Sequence, residues 1–373
     1  MEGNLFHRVG GHVFNAKDKD VSDWFWNHFD KDKEFIKAER NAKILLNGKM
    51  IGYPLENHLY LLDPEQVKTI VDELLSLQAR GYHDPYAYTH FEAFLKGNFG
   101  DTLYNLYFKP YNEKIWQTDL NSVPMDWLAG KLPMPDFNKI FLNNITRAGE
   151  KEMVHSSFYY PKKGGSQFIV DRLANGLKIE CNKPVNSIQY RDGKWMINGV
   201  DFDKVVYTGD VRILQNILLT DDTKVSNALK GVASLKSNGT SNMLCETDDT
   251  ELSWLYLPDG ETKAHRIIYT GNFSSANNVM GKRKTCVVEF SGKVDEAQII
   301  AGLQKLPGNL KPISYNYEAN SYIIQQHDTR GKIREVKNRL HPLGFYLTGR
   351  FAEWEYYNMD KAIKSTFSLN EYF

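Results

Sequence analysis

The strongest constraint on the fold is a stretch in mid-chain where apolar and polar side chains alternate. Residues 177–210 read LKIECNKPVNSIQYRDGKWMINGVDFDKVVYTGD, with a tight-turn signal at Asp192-Gly193. This alternation predicts a β-meander, and the apolar run Val205–Tyr207 predicts a buried strand at its end.

The first third of the chain predicts helices instead. Asp63 is placed to cap a helix whose first residue is Pro64 and whose stop signal is Gly81. Asn47-Gly48 predicts a hairpin between short apolar runs. Helices and strands mixed along 373 residues predict an α/β fold of two interleaved parts.

The C-terminal segment carries the clearest signal of a ligand site. Phe345–Leu347 predicts a buried strand, Arg350 follows it, and Asn358 is placed to cap a helix from Met359. A helix start beyond the carboxyl end of a strand favours an anion or a polarised carbonyl. The alternative is a crossover turn in which Arg350 forms a salt bridge.

Composition excludes several classes of protein. Lys+Arg and Asp+Glu balance at 46 each, so the basic surplus of a nucleic-acid-binding protein is missing. No apolar run is long enough for a transmembrane helix, no signal peptide is evident, and the three scattered cysteines suit a reducing compartment. We therefore expect a cytoplasmic protein without a metal site. Aromatic residues make up 13%, which indicates either a bulky core or a cleft for a flat or sugar-like ligand.

Several segments resemble, in the right order, the UDP-galactopyranose mutases and the protoporphyrinogen-oxidase-like and amine-oxidase-like flavoproteins related to them. GGHVFNAKDKDVSDWF (10–25) and GRFAEWEYYNMDKAI (349–363) resemble flavin motifs of this superfamily. A mutase helix and its continuation are similar to residues 104–133, YNLYFKPYNEKIWQTDLNSVPMDWLAGKLP. The oxidase-like relatives are more similar to two other segments, FYYPKKGGSQFIVDRL (158–173) and HRIIYTGNFSSANN (265–278).

The resemblance implies a Rossmann-like, two-domain, FAD-binding fold of the glutathione-reductase type, with an antiparallel substrate-domain sheet and a helical insert. It also implies an N-terminal dinucleotide-binding unit with G-x-G-x-x-G, which this sequence lacks. We therefore expect FAD to be lost or weakly held. The expected parts are interleaved: an FAD-binding part (1–20, 165–210 and 340–373), a helical or substrate part (21–164) and a substrate sheet (211–339).

By the same resemblance, two groups of residues form the site. Those assigned to the flavin are Gly10, Gly11, His12, Arg350, Asn358, Met359 and Asp360. Those assigned to the substrate are Trp116, Lys131 and Tyr356, where Lys131 replaces a phosphate-binding arginine of the mutases. The alternatives are that His12 packs inside a tight turn and that Trp116 and Tyr356 are core aromatics. No Ser-His-Asp or Cys-His pattern offers another reaction, so the chemistry is expected to reside in the flavin.

The function implied is an FAD-dependent enzyme of nucleotide-sugar or polysaccharide-precursor metabolism, similar to the mutases, in which reduced flavin attacks the anomeric carbon of the sugar. One alternative is an amine- or protoporphyrinogen-type oxidoreductase. Another is a non-catalytic remnant, or half of a split flavoprotein whose partner chain or second copy supplies the missing segment. The expected ligand is a small molecule, with a nucleotide sugar as the leading class.

Overall fold

The structure is a computed structural model, and it describes residues 1, 3–81, 87–125, 135–147 and 156–373. Its α-helices, numbered in chain order, are α1 (Lys19–His28), α2 (Lys31–Glu34), α3 (Pro64–Ala79), α4 (Phe91–Leu103), α5 (Lys109–Trp116), α6 (Phe137–Thr146), α7 (Gln167–Ala174), α8 (Leu214–Ile217), α9 (Thr223–Ala233), α10 (Glu296–Leu303), α11 (Thr329–Leu340) and α12 (Met359–Phe367).

The strands are β1 (Phe35–Glu39), β2 (Ala42–Leu46), β3 (Lys49–Gly52), β4 (Ser157–Pro161), β5 (Ile188–Arg191), β6 (Lys194–Ile197), β7 (Val200–Phe202), β8 (Val205–Tyr207), β9 (Leu218–Leu219), β10 (Lys236–Thr247), β11 (Trp254–Tyr256), β12 (Ala264–Ile268), β13 (Lys284–Ser291), β14 (Lys311–Ile324) and β15 (Phe345–Leu347). Helices and strands thus alternate along the chain, which confirms the mixed α/β class.

Local signals fix several of these elements. Asp63 accepts a hydrogen bond from the backbone N–H of Glu65 at 3.0 Å, and Pro64 opens α3 as predicted. Asn47 and Gly48 both have positive φ angles and connect β2 to β3, which confirms the predicted hairpin. Asp192-Gly193 turns β5 into β6 in the same way.

The chain divides into two compact units. Unit 1 contains 1–15, 29–170 and 238–322, and unit 2 contains 16–28, 171–237 and 323–373. These boundaries differ from the three parts expected from the sequence. In particular, 211–237 and 323–339 belong to unit 2, because α9 and α11 pack with β15 around a shared apolar core. Which unit binds which ligand stays a prediction.

Unit 1 is built on a seven-stranded sheet in the order β14-β10-β13-β12-β11-β2-β3. The sheet is mixed, because β11 and β2 pair in parallel whereas β10 to β13 and β11 to β12 pair antiparallel. Alternate residues on one face, such as Leu255, Ile267 and Val288, form an apolar core with Ile299 of α10. The other face carries the polar residues described below.

Unit 2 contains part of the predicted meander as β5, β6 and β7, whereas residues 177–187 form no strand. β9 joins β5 in parallel, and β8 and β15 form a separate parallel pair. Trp195, Phe345 and Trp354 are fully buried in its core. Val205–Tyr207 forms the predicted strand, but its burial differs from the expectation: Val206 is 43% exposed, whereas Phe345–Leu347 is buried as predicted. Along the described ranges of both units, no helix is long and apolar enough to cross a membrane.

Candidate functional site

A row of polar side chains crosses one face of the sheet in unit 1. Tyr256 on β11 lies opposite Arg266 on β12, and Arg266 lies opposite Glu289 on β13. Asn242 on β10 lies opposite Glu289 and continues the row. Because cross-strand partners share a face of the sheet, these four side chains line one surface.

Glu289 is the centre of a buried charge network. Its carboxylate accepts a hydrogen bond from Nε of Arg266 and lies 3.0 Å from Nε2 of His265. Burial alone would raise the pKa of Glu289, but the guanidinium of Arg266 and the hydrogen bond with His265 outweigh it and hold that pKa well below its usual range. Glu289 is therefore a carboxylate at every pH at which the protein is expected to work.

His265 connects this network to the neighbouring strands. Its Nε2 lies 3.3 Å from the hydroxyl of Tyr322, and its Nδ1 lies 3.2 Å from Oγ of Ser291. A register shift between Ala264 and Arg266 places consecutive residues of β12 against the same carboxylate. Burial lowers the pKa of His265 although Glu289 opposes that shift, so the imidazole is neutral near pH 7.

The Gly10-Gly11 loop lies on this polar face. Gly10 has a φ angle of +62°, and a Cβ there would lie 3.5 Å from Nη2 of Arg266 and 3.7 Å from Oε1 of Glu289. A Cβ at Gly11 would lie only 2.6 Å from Cγ2 of Ile268, so the backbone approaches β12 as closely as a glycine permits. The glycine pair therefore fits the loop onto the charged row.

The side chain of His12 faces solvent. Its side chain is exposed, and its carbonyl accepts a hydrogen bond from Oγ of Ser166 at 2.8 Å. The alternative of an inward-packed His12 is therefore wrong. The buried histidine of this segment is His7, whose Nε2 lies 2.6 Å from the hydroxyl of Tyr160.

Helix α5 brings aromatic residues to the same face. The ring of Trp116 meets the ring of Tyr322 edge-on at 5.8 Å, and the ring of Tyr111 meets that of Tyr256 edge-on at 5.4 Å. Lys114 fixes the helix by donating to the carbonyls of Leu257 at 2.7 Å and Ala264 at 3.2 Å. Trp116, predicted to line the substrate site, is therefore linked through Tyr322 to the charged row.

A second arginine, Arg40, lies beside this row. It donates to the hydroxyl of Tyr256, and its guanidinium lies 4.5 Å from the ring centre of Tyr53 and 5.4 Å from that of Trp254. Tyr256, which lies opposite Arg266, thus connects Arg40 to the charged row.

Sequence reasoning missed Arg266, Glu289 and Arg40. A signal for the first two was present, because each is a charged residue inside an otherwise apolar strand segment, HRII and VVEF.

The other predicted residues lie in unit 2, except Lys131, which lies outside the described residues. Arg350 donates to the carbonyl of Tyr357 at 3.1 Å, and its guanidinium lies 4.1 Å from the ring centre of Tyr356. The structure therefore brings Arg350 and Tyr356 together. Asn358 occupies the N-cap position of α12, but its side chain does not cap the helix, contrary to the expectation.

The start of α12 remains a predicted contact of the flavin. Met359 and Asp360 form its first turn, whose N–H groups are not bonded by the Asn358 side chain. Gly349, after β15, has a φ angle of +86°, and a Cβ there would meet no heavy atom within 4 Å. This open turn beside Arg350 leaves room for a ligand. Burial, which outweighs its neighbouring backbone hydrogen bonds, raises the pKa of Asp360.

Unit 1 thus combines a glycine loop over a buried charged row with aromatic side chains along one side. Comparison with known families matches residues 7–292 to the flavin-containing amine oxidoreductases. This match spans more than half of the chain, so the chain belongs to that family and a flavin cofactor is supported.

Solved structures show the same fold. A reduced UDP-galactopyranose mutase matches with a TM-score of 0.82 at 19% identity, covering 96% of this chain and 84% of the mutase chain. A protoporphyrinogen oxidase homologue from Exiguobacterium sp. 255-15 matches with a TM-score of 0.71 at 13% identity, covering 100% and 88%. A putrescine oxidase bound to putrescine matches with a TM-score of 0.57 at 12% identity, covering 99% and 91%.

Proposed function

We propose that this protein is an FAD-dependent enzyme that acts on a nucleotide sugar or a related polysaccharide precursor. The observation that carries the proposal is Arg266, an arginine of β12 whose partly exposed side chain lies in a row flanked by aromatic residues. Its side chain is 23% exposed, whereas that of its partner Glu289 is 2% exposed. The positive partner of the pair is therefore the one accessible to a ligand.

The surroundings of Arg266 match the parts of a nucleotide sugar. A guanidinium binds phosphate oxygens through paired N–H groups, and Arg40, which donates to the hydroxyl of Tyr256, supplies a second positive charge near the row. Trp116 and Tyr111 offer rings for stacking on a base, and Tyr111 offers a hydroxyl group for a hydrogen bond to a sugar. Lys131 and Tyr356 remain further proposed contacts to the substrate.

Gly10, Gly11, His12, Arg350, Asn358, Met359 and Asp360 remain the residues that we propose for contact with the flavin. When bound, the flavin supplies the nucleophilic or redox chemistry of the reaction. The residues of this chain hold and orient the two ligands. Glu289 keeps the guanidinium of Arg266 directed along the face, and His265 keeps Glu289 in place by donating from Nε2 to its carboxylate.

UDP binding tests the nucleotide-sugar proposal. Arg266→Lys is expected to weaken UDP binding about tenfold or more, because lysine keeps the charge but loses the paired N–H groups. The measurement is isothermal titration, with the melting temperature recorded to confirm folding. Arg283→Lys, also in unit 1, is the matched control, since Arg283 pairs with Asp248 away from the row.

Two further variants keep the proposal testable if Arg266→Lys fails to fold. Trp116→Ala and Lys131→Ala should each weaken UDP binding while Arg283→Lys leaves it unchanged. If all three site variants bind UDP as the unmodified protein does, the nucleotide-sugar proposal is wrong.

An oxidoreductase is the second candidate. The observation in its favour is the match of residues 7–292 to the flavin-containing amine oxidoreductases. An oxidase is expected to consume oxygen in the presence of its amine or porphyrinogen substrate and to show no specific affinity for UDP.

Flavin titration tests whether this chain is a complete flavoprotein or a remnant. We expect saturable quenching of FAD fluorescence, and Arg350→Ala should weaken it about tenfold, since one charge-assisted hydrogen-bonding side chain is lost. Arg334→Ala is the control, because Arg334 is exposed on α11. A chain that remains colourless and never saturates with FAD would instead favour the remnant, or a flavoprotein completed by a partner chain or second copy.

A further inference from the structure

Positive charge is concentrated on two helices of unit 2 in a chain that is neutral overall. Together α9 and α11 carry seven basic residues and one acidic residue, whereas the whole chain has 46 of each sign. The basic residues are Lys224, Lys230, Arg330, Lys332, Arg334, Lys337 and Arg339, and the acidic residue is Glu335. This segregation marks the pair of helices as a surface suited to an anion.

Local acids neutralise only part of this charge. Arg330 pairs with Glu355 at 2.7 Å and Lys337 pairs with Glu353 at 2.6 Å. Glu335 pairs with Arg339, also at 2.7 Å, and Asp328 pairs with Lys332 at the same distance. Among the described residues, Lys224, Lys230 and Arg334 form no ion pair, so the surface keeps a net positive charge.

A groove of about 460 Å³ lies between the two helices. Lys224, Ala228 and Gly231 lie three or four residues apart on α9, and Lys332 and Arg339 lie seven apart on α11, so each set faces the groove from one side. The hydrogen bond from Nζ of Lys332 to Oγ of Ser234 places the end of α9 beside the start of α11. Lys224 and Arg339 therefore lie together at the opposite end of the groove.

Small residues keep the floor of the groove open. A Cβ at Gly331 would meet nothing within 4 Å, and a Cβ at Gly231 would meet only Cγ of Lys332 at 3.8 Å. The side chains of Lys332 and Arg339 are 23% and 37% exposed, so they are recessed rather than extended into solvent. The groove is thus a shaped site with three cations and one carboxylate, Glu335.

We propose that the groove between α9 and α11 binds a ligand carrying phosphate groups, in addition to the substrate site in unit 1. Lys224 and Arg339 would hold one phosphate at one end, and Lys332 would hold a second charge at the other. Seven residues of helix span about 10 Å, a distance that suits a ligand with two separated phosphate groups, such as a sugar phosphorylated at both ends. Asn227, which also lines the groove, would donate to a phosphate oxygen.

The test is isothermal titration of the full chain with sodium pyrophosphate. Because pyrophosphate could also bind at Arg266, every titration is done in the Arg266→Lys background as well. We expect saturable binding that survives Arg266→Lys and weakens about tenfold or more in Lys224→Gln/Arg339→Gln. The control, Lys230→Gln/Arg334→Gln, removes the same charge from the same two helices at positions that do not line the groove, and it should change affinity less than twofold.

Vesicles of phosphatidylglycerol separate a lipid headgroup from a free ligand. Pyrophosphate binding without vesicle pelleting assigns a soluble ligand, whereas pelleting that pyrophosphate blocks and the groove variant abolishes assigns a headgroup. Equal loss of affinity in the groove and control variants would overturn the proposal, since it would show only diffuse charge attraction. No saturable binding of either probe would overturn it too.

Discussion

Glu289→Ala is expected to destabilise the protein by about 3–5 kcal/mol, the range for removing one partner of a buried ion pair. The substitution leaves the guanidinium of Arg266 inside the sheet without its carboxylate and removes the acceptor that holds His265. Urea unfolding followed by tryptophan fluorescence measures the loss. Glu246→Ala, on β10 of the same sheet, is the control. Its carboxylate is 27% exposed and lies 3.8 Å from Arg283, so the cost should be below about 1 kcal/mol.

A double variant separates charge pairing from packing. Arg266→Met/Glu289→Gln removes both charges, and it should recover most of the stability that Glu289→Ala loses, because a buried pair replaced as a whole leaves no isolated charge. Equal unfolding free energies for Glu289→Ala and the unmodified protein would show that the pair does not contribute as described.

Stability is expected to fall by about 3 kcal/mol between pH 6.5 and pH 4 because of His7 alone. Burial, together with the nearby charge of His12, lowers the pKa of His7 from 6.5 to about 4. The unfolded chain therefore binds a proton across this interval that the folded chain excludes. The contribution of His7 is fully present above pH 6.5 and is lost progressively as the pH falls toward 4.

The measurement is the free energy of unfolding against pH for the unmodified protein and for His7→Gln, in which the glutamine amide can still bond to the hydroxyl of Tyr160. The difference between the two profiles should change within this interval and flatten below it. His28→Gln is the control, because His28 is exposed on α1. Parallel profiles for His7→Gln and the unmodified protein would contradict the assignment.

Local sequence signals predicted the elements that are set by local contacts. The cap and proline of α3, the hairpin at Asn47-Gly48 and the strand Phe345–Leu347 all follow from residues within a few positions of one another. β10 was not singled out. Its first half, beginning KSNGTSN, is polar and lacks alternation, and it becomes a strand because β13 pairs with it. Tertiary pairing there overrides weak local preference.

The candidate site was predicted only in part for the same reason. The glycine pair and Trp116 are recognisable as segments, but the row from Tyr256 to Glu289 exists only through the register of three consecutive strands. The shift before Arg266 depends on pairing that no single segment reveals. Asn358 shows that a local signal can also mislead. Asparagine is a residue type suited to capping, and it occupies the N-cap position of α12, but its side chain does not form the capping hydrogen bond.

The placement of Arg266 and Glu289 within paired strands limits which substitutions this protein can accept at these two positions during evolution. A change in either residue that altered ligand choice would also remove part of what keeps the sheet folded, so few such variants would survive selection. Tyr111 and Trp116 stand on a helix that Lys114 fastens independently, and they can vary at lower cost. New substrate ranges among descendants should therefore arise through α5 while the charged pair persists.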